Sequence, residues 1–325
     1  MYLREGRFFF ALILRYSVVY MGAYLPTSII NKYSRFIGKI AYIIDQLNGK
    51  KVAKNLKHLF PEKDTKQIQN LAKETIQQLC LADFENTLIE KLIAEGYYKK
   101  DNVVGLNNLN AALKKGKGII LVISHFGPHL QVIPALGFRG HTVNQVSNKL
   151  YESNNSQSKV GFFEKLYRSS SLKNNGRYLP VKMIKVGTYM RPLFDHLRNN
   201  EIVIAAIDGK TGGKTLYFKL LGCKSYPFST GPFSLAYKTG AAIVPSFTVR
   251  GKDDSISIIL EKEIVIDRNS TDKEAEIVKC TSSFVTLLEK YLTKFPDHCG
   301  RHFLGRQASV IFSQQKYDKQ PVVDK

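Results

Sequence analysis

Two textures divide the chain. Over the first hundred residues apolar side chains recur three and four positions apart; from residue 103 onward, short unbroken apolar runs alternate with amphipathic stretches. The first texture predicts helices. Residues 8–25 form a nearly continuous apolar segment. Ile29, Ile30, Tyr33, Phe36, Ile37, Ile40 and Ile44 then fall at helical spacing, with Lys and Arg between them. Pro61 breaks the pattern, and Asp64 or Thr65 is placed to cap a new helix that runs through Leu79. A further apolar segment reaches Ile93.

The second texture predicts strands at 118–124, 142–146, 177–181, 201–207, 241–249 and 256–266, and a hairpin over 216–228 that bends at Gly222. Helices are predicted at 128–136, where Pro134 kinks or shortens the segment, and at 160–172, 186–198 and 272–294. Ser270 and Thr271 are the capping candidates for the last of these. Thr230-Gly231-Pro232 opens a short helix that Gly240 closes. The polar stretch 147–158 reads as a loop over the site. Such alternation argues for an α/β fold, with a central, mostly parallel sheet flanked by helices behind an amino-terminal hydrophobic helix and helical section. The expected units are a membrane-associated helix (1–26), an α/β domain (27–304) and a flexible tail (305–325).

Charge sharpens this reading. Lys and Arg number 48 against 27 Asp and Glu, a net +21, which points to an anionic partner. The basic residues are spread along the chain, and zinc-ligand spacing, an RNA-recognition signature and leucine-zipper heptads are all lacking. That counts against nucleic acid and favours an anionic membrane surface, where each nearby Lys or Arg contributes about 1 kcal/mol. Lys50, Lys51, Lys54 and Lys57 form one basic cluster suited to lipid head groups or to a solvated helix face. The 8–25 segment follows Arg4 and Arg7 and has no small-residue cleavage site, so it is expected to be retained. Its length is near the lower limit for a spanning helix, and Arg15 in its middle costs about 2.5–3.5 kcal/mol on insertion scales. Spanning placement, interfacial placement and a buried amphipathic helix of the soluble body all stay open. The four cysteines, Cys80, Cys223, Cys280 and Cys299, are far apart, as expected in a reducing compartment.

The chemistry concentrates in KGIILVISHFGPHLQ, residues 117–131. Here His125 follows a strand buried on both faces and precedes a predicted helix start at Pro128, the kind of strand-end position where open α/β sheets bind ligands. A helix N-terminus disfavours added positive charge, which would keep the imidazole neutral and able to accept a proton. His129 lies near the same helix start, where it lines a pocket or packs as a structural histidine. The backbone N–H groups around Thr230 and Gly231 are placed to hold a phosphate or a thioester oxygen, or simply to cap. Lys210, Lys214 and Arg250 are candidates to counter phosphate charge. His298 and His302 flank Cys299, but without a second matching pair this is not a zinc pattern, and no metal is expected.

Several ordered segments carry a resemblance to a known family: NLKHLFPE near residue 55, GLNNLNAALKKGKGIILVISHFG, the strand ending in Asp208, and FSTGPFSLAYKTGAAIVPSF. The chain is similar, from its amino-terminal helix to about Phe303, to the late acyltransferases of bacterial lipid A biosynthesis within the lysophospholipid acyltransferase superfamily. The resemblance implies a glycerolipid acyltransferase-like fold. It also implies a membrane-associated enzyme at the cytoplasmic face of a bacterial inner membrane, moving a fatty acyl chain from acyl carrier protein or coenzyme A to a lipid or glycolipid hydroxyl. The acyl-thioester is a co-substrate, and no cofactor is implied.

The family signature is H-x-x-x-x-D/E, in which the histidine is the base and the acid orients it. His125, Phe126 and Gly127 match its start, with Phe126, Gly127 and His129 implied at the substrate. The acidic position, however, falls on Leu130. Gln131 could accept the imidazole N–H but would stabilise imidazolium poorly, so Asp208 at a second strand end is the best substitute acid; as Asp208-Gly209 it is equally a turn former. Two readings stay open: an O-acyltransferase with His125 as general base, and a catalytically impaired relative that binds lipid or protein.

Overall fold

The computed structural model describes residues 2–96, 102–147, 161–163, 165–166, 181–185, 191–208, 214–304 and 322–323. In chain order the elements are α1 (Tyr2–Tyr24), α2 (Thr27–Leu47), α3 (Lys51–Leu59), α4 (Thr65–Thr87), α5 (Ile89–Ala94), β1 (Val103–Val104), α6 (Leu106–Leu113), β2 (Ile119–Ile123), α7 (Val132–Gly137), β3 (Val143–Ser147) and β4 (Val181–Lys185). They continue with α8 (Arg191–Arg198), β5 (Ile202–Ala206), β6 (Thr215–Leu220), β7 (Cys223–Ser229), α9 (Gly231–Thr239), β8 (Ala242–Arg250), β9 (Ile256–Leu260), α10 (Lys273–Lys294), α11 (Arg301–Leu304) and β10 (Val322–Val323).

The main sheet has the order β1-β9-β8-β2-β5-β3-β4, and every pairing in it is parallel except β8 with β9. At its centre, β2 pairs with β5 on one side and β8 on the other. All five of its residues are buried, and the period of two splits them between two cores. Ile120 and Val122 join a core formed with α3, α4, α8, α9 and α10. Ile119, Leu121 and Ile123 join the opposite one, formed with α5, α6 and α7. Each such side chain contributes about 1.5–3 kcal/mol by burial, which fixes the register of the strand. Because β2 and β5 run in parallel with Ile123 opposite Ala206, the residues that follow both strands leave the sheet at the same edge. The pairing continues one step further, with the Ile207 amide donating to the Ile123 carbonyl at 3.1 Å.

Local chemistry explains several element ends. Asp64 caps α4 through a reciprocal capping box with Gln67. Gly240, at φ +76°, closes α9 in the left-handed conformation that glycine favours. The β6–β7 hairpin turns at Leu221 and Gly222. A Cβ on Gly222 would overlap the Pro61 ring, so this bend needs glycine for close approach.

Three expectations change. Pro128 does not begin a helix: its ψ of 53° lies outside the helical range, a 3-10 turn spans His129–Gln131, and α7 starts at Val132. The strand predicted over 256–266 stops at Leu260, leaving one bridge from Ile264 to Ile243. The α10 cap is Asp272, whose carboxylate accepts from the Ala275 amide, rather than Ser270 or Thr271. Of the strand predicted at 177–181 only Val181 is described, as the first residue of β4, and 177–180 lie outside the described residues. Most of the predicted loop at 147–158, most of the helix at 160–172, the start of the one at 186–198, and the tail apart from Val322 and Val323, which pair with β6, lie outside the described residues.

Helix α1 packs inward through Val18 against Ile30 and Leu88, while Phe9, Ile13, Tyr16, Val19, Tyr20 and Tyr24 are exposed. Among the described residues, no helix is long and apolar enough to cross a membrane.

Candidate active site

His125 sits in the turn after β2 and Asp208 just beyond β5, so the sheet itself brings them together. One Asp208 oxygen, Oδ1, lies 2.9 Å from His125 Nδ1; the other, Oδ2, accepts the His125 backbone N–H at 2.8 Å. A carboxylate only accepts, so Nδ1 carries a proton, and in the neutral imidazole Nε2 keeps its lone pair. Asp208 is further held by an antiparallel bridge to Phe228, with the Ser229 amide on the Ile207 carbonyl at 2.8 Å. Its side chain is fully buried, whereas that of His125 is 27% exposed, so the imidazole is the reachable member of the pair.

Electrostatics couple the two groups. Burial pulls the His125 pKa down, but the Asp208 charge and its hydrogen bond outweigh burial and leave it raised. Burial pushes Asp208 up, yet His125, the hydrogen bonds and His302 together leave it lowered. The sequence-based expectation that a helix N-terminus would hold His125 neutral is therefore corrected. The nearest regular helix begins at Val132, and a buried carboxylate in direct contact dominates a weak, more distant dipole.

The carboxyl-terminal segment completes the site. Cys299 bridges Phe126 in antiparallel fashion, and the Gly127 amide donates to the His298 carbonyl at 2.7 Å. A Cβ on Gly300 would overlap the His125 carbonyl oxygen, so the two backbones approach closely only because residue 300 is glycine. Gly127, at φ +57°, is wedged against the Thr248 carbonyl in the same way. The single turn α11 then lays the His302 ring flat on His125, with centroids 3.6 Å apart and planes within 4°. His302 Nδ1 lies 3.1 Å from the Asp208 carbonyl oxygen. Behind the segment, Arg250 donates two hydrogen bonds to Glu85 and one to Gln78, and its backbone amide donates to His298 Nε2. His298 Nδ1 and Gln78 Nε2 both meet Asp297, which ties α4, β8 and the 296–298 turn into one strut.

The other predicted residues fall in varied places. Phe126 is buried among Phe247, Tyr291 and His298, in the core rather than facing a ligand. Gly127 spends its N–H on His298. His129 lies edge-on to His125, with centroids 4.9 Å apart, and its Nδ1 meets the Gly127 carbonyl. Burial, with His125 beside it, pushes the His129 pKa down to about 3, so it stays neutral. Gln131 is buried and donates to Asn86, so the partner on His125 Nδ1 is Asp208 instead. The Thr230 amide and hydroxyl both donate to the Lys214 carbonyl, and the Gly231 amide meets Ser229 Oγ; this junction is closed on itself rather than open to a phosphate. Arg250 is a buried structural residue, not a surface cation. Lys214 pairs with Glu274, and Lys210 lies outside the described residues. His302 was missed as a site residue; its signal in the sequence was two histidines around Cys299-Gly300, which suit a tight backbone approach better than a metal.

Among the described residues, His125, Asp208 and His302 offer ligand atoms within 4.8 Å of one another. Both Nδ1 atoms are engaged by Asp208, and the face-to-face rings hold their in-plane lone pairs in nearly parallel, separate planes. Two such nitrogens do not converge on one ion at the roughly 2.0–2.1 Å that zinc requires.

The site is thus a strand-end His–Asp pair on a mostly parallel α/β sheet, the place where open α/β sheets bind ligands. Residues 2–298 match the bacterial lipid A biosynthesis acyltransferase family, and the chain belongs to that family. It is thus an acyltransferase of the lipid A type, acting between an acyl donor and a lipid acceptor. No curated protein matches the chain significantly.

Proposed function

We propose that the protein is a membrane-associated O-acyltransferase in which His125 is the general base. Asp208 fixes the Nδ1–H tautomer, and Nε2 removes the proton of an acceptor hydroxyl as its oxygen attacks the thioester carbonyl. The new C–O bond forms, the C–S bond breaks, and the imidazolium returns the proton to the departing thiolate. The observation that supports this is the 2.9 Å contact between the Asp208 carboxylate and His125 Nδ1, which supplies the acid that position 130 lacks. It also favours the enzyme over the impaired reading.

The donor in this proposal is an acyl carrier protein or coenzyme A thioester. The net charge of +21 suits either anionic donor and an anionic membrane surface. Membrane association is supported by two exposed apolar stripes. On α1 the stripe includes Phe9, Ile13, Tyr16 and Tyr20. On α2 it includes Ile29, Phe36, Ile40, Ile44 and Leu47, the last 82% exposed. Exposed Lys32 and Lys39 lie on α2 itself, and exposed Lys50, Lys51 and Lys54 follow at the start of α3, a pattern that suits helices resting in a bilayer interface. By this reading the protein works at the cytoplasmic face of a bacterial inner membrane.

The test is reconstitution. Purified protein is mixed with acyl-thioester donors and lipid-extract vesicles, and products are read by mass spectrometry. An acylated lipid formed with stoichiometric thiol release supports the reading. Vesicle or donor binding with no acylated product across carrier-protein and coenzyme A donors would favour the binding protein.

A further inference from the structure

We propose that His302 is a positioning residue for His125, a neutral imidazole that fixes the plane of the base and holds the Asp208 backbone in place. The inference rests on the His125–Asp208 reading and deepens it. The family match ends at His298, four residues before His302, so this role belongs to a stretch that the match leaves out.

Three observations carry it. The rings of His302 and His125 are parallel within 4° at 3.6 Å, which is closer and flatter than the edge-on arrangement adopted with His129. A ring lying flat on one face blocks rotation of His125 about its side-chain bonds, leaving Asp208 to set the in-plane direction. Second, the bond from His302 Nδ1 ends on the Asp208 carbonyl oxygen, which can only accept; His302 is therefore the Nδ1–H tautomer. One residue thus anchors both imidazoles, His125 through its side chain and His302 through its backbone. Third, the approach is built. Gly300 admits the segment against the His125 carbonyl, the Phe126–Cys299 bridge sets its register, and Phe303 and Leu304 are buried beside it.

The chemistry gives the stack a purpose. When His125 takes the hydroxyl proton it becomes a cation, and a neutral aromatic face against it is favourable, whereas a second cation would be repulsive. Burial keeps the His302 pKa below the ordinary histidine value, so His302 remains the neutral partner while His125 cycles.

The experiment compares His302→Ala and His302→Phe in steady-state acyl transfer and in nitrogen NMR of ring-labelled histidines. The positioning role predicts that His302→Ala lowers kcat about 10–100-fold while KM for donor and acceptor stays within about twofold. His302→Phe, which keeps the flat ring, recovers much of that loss. The NMR arm needs no turnover and so stands even if acyl transfer is not the activity: wild-type His302 is protonated at Nδ1 and titrates below His125. An unchanged kcat in His302→Ala would overturn the proposal. So would a loss that Phe does not relieve, or a His302 proton on Nε2.

Discussion

Replacing Asp208 with Asn is nearly isosteric and isolates what the carboxylate does. In the native site one oxygen holds the His125 backbone N–H at 2.8 Å and the other faces Nδ1 at 2.9 Å. The backbone N–H is an obligatory donor, so the amide oxygen of Asn must stay with it, which turns the NH₂ group toward Nδ1. Two donors cannot share a bond, and His125 is driven to the tautomer with its proton on Nε2, the atom meant to receive the hydroxyl proton. Loss of an orienting carboxylate by this route costs on the order of 10³–10⁴ in kcat elsewhere, or about 4–5.5 kcal/mol of transition-state stabilisation. The same charge raises the His125 pKa, so the acid limb of the pH–rate profile also moves. In wild type the base is lost as pH falls through that raised value; in Asp208→Asn the limb moves to lower pH while the plateau drops. Thiol release from acyl-thioester in the presence of lipid acceptor, measured across pH, reads both effects. A wild-type plateau in Asp208→Asn would refute the argument, because the carboxylate would then do nothing for the base.

Leu130→Glu places an acid at the family's usual position, but Leu130 packs against the second core and Asp208 already occupies His125 Nδ1. No gain in activity is expected in the acyl-transfer assay, and a tenfold rise would show that Asp208 is not the working acid. Arg250→Met leaves Glu85 buried without its ion pair and should cost about 3–5 kcal/mol in denaturant unfolding, with much of it regained when Glu85→Leu is added. Failure of the double variant to recover would mean that the strut is held by something other than this pair. Leu47→Asp with Ile44→Asp puts charge on the exposed stripe of α2 and should weaken flotation with anionic vesicles without lowering the melting temperature. Equal flotation would remove α2 from the membrane face.

The sheet was legible because its strands announce themselves. Ile119–Ile123 and Ile202–Ala206 are unbroken apolar runs, and two-sided burial in a parallel sheet demands that pattern. Asp208 could be proposed as the acid because it follows one such strand, and parallel neighbours end at a common edge. The details of the turn were not legible. Whether Pro128 starts a helix depended on Gly127 spending its N–H on a carbonyl 171 residues later in the chain, at His298. Arg250 read as a candidate to counter phosphate charge because a single sequence does not reveal that Glu85, on a helix far upstream, is buried opposite it. His302 was hidden for the same reason: long-range approach through Gly300 has no local periodicity.

The central claim, that His125 is the base of an acyl transfer, is tested most directly by His125→Ala. Wild type and variant are given the same acyl-thioester and lipid acceptor, with matched folding verified by thermal unfolding. The account predicts that acylated lipid falls at least about 10²–10⁴-fold in the variant, the range general-base catalysis supplies. Equal product from both proteins would contradict it.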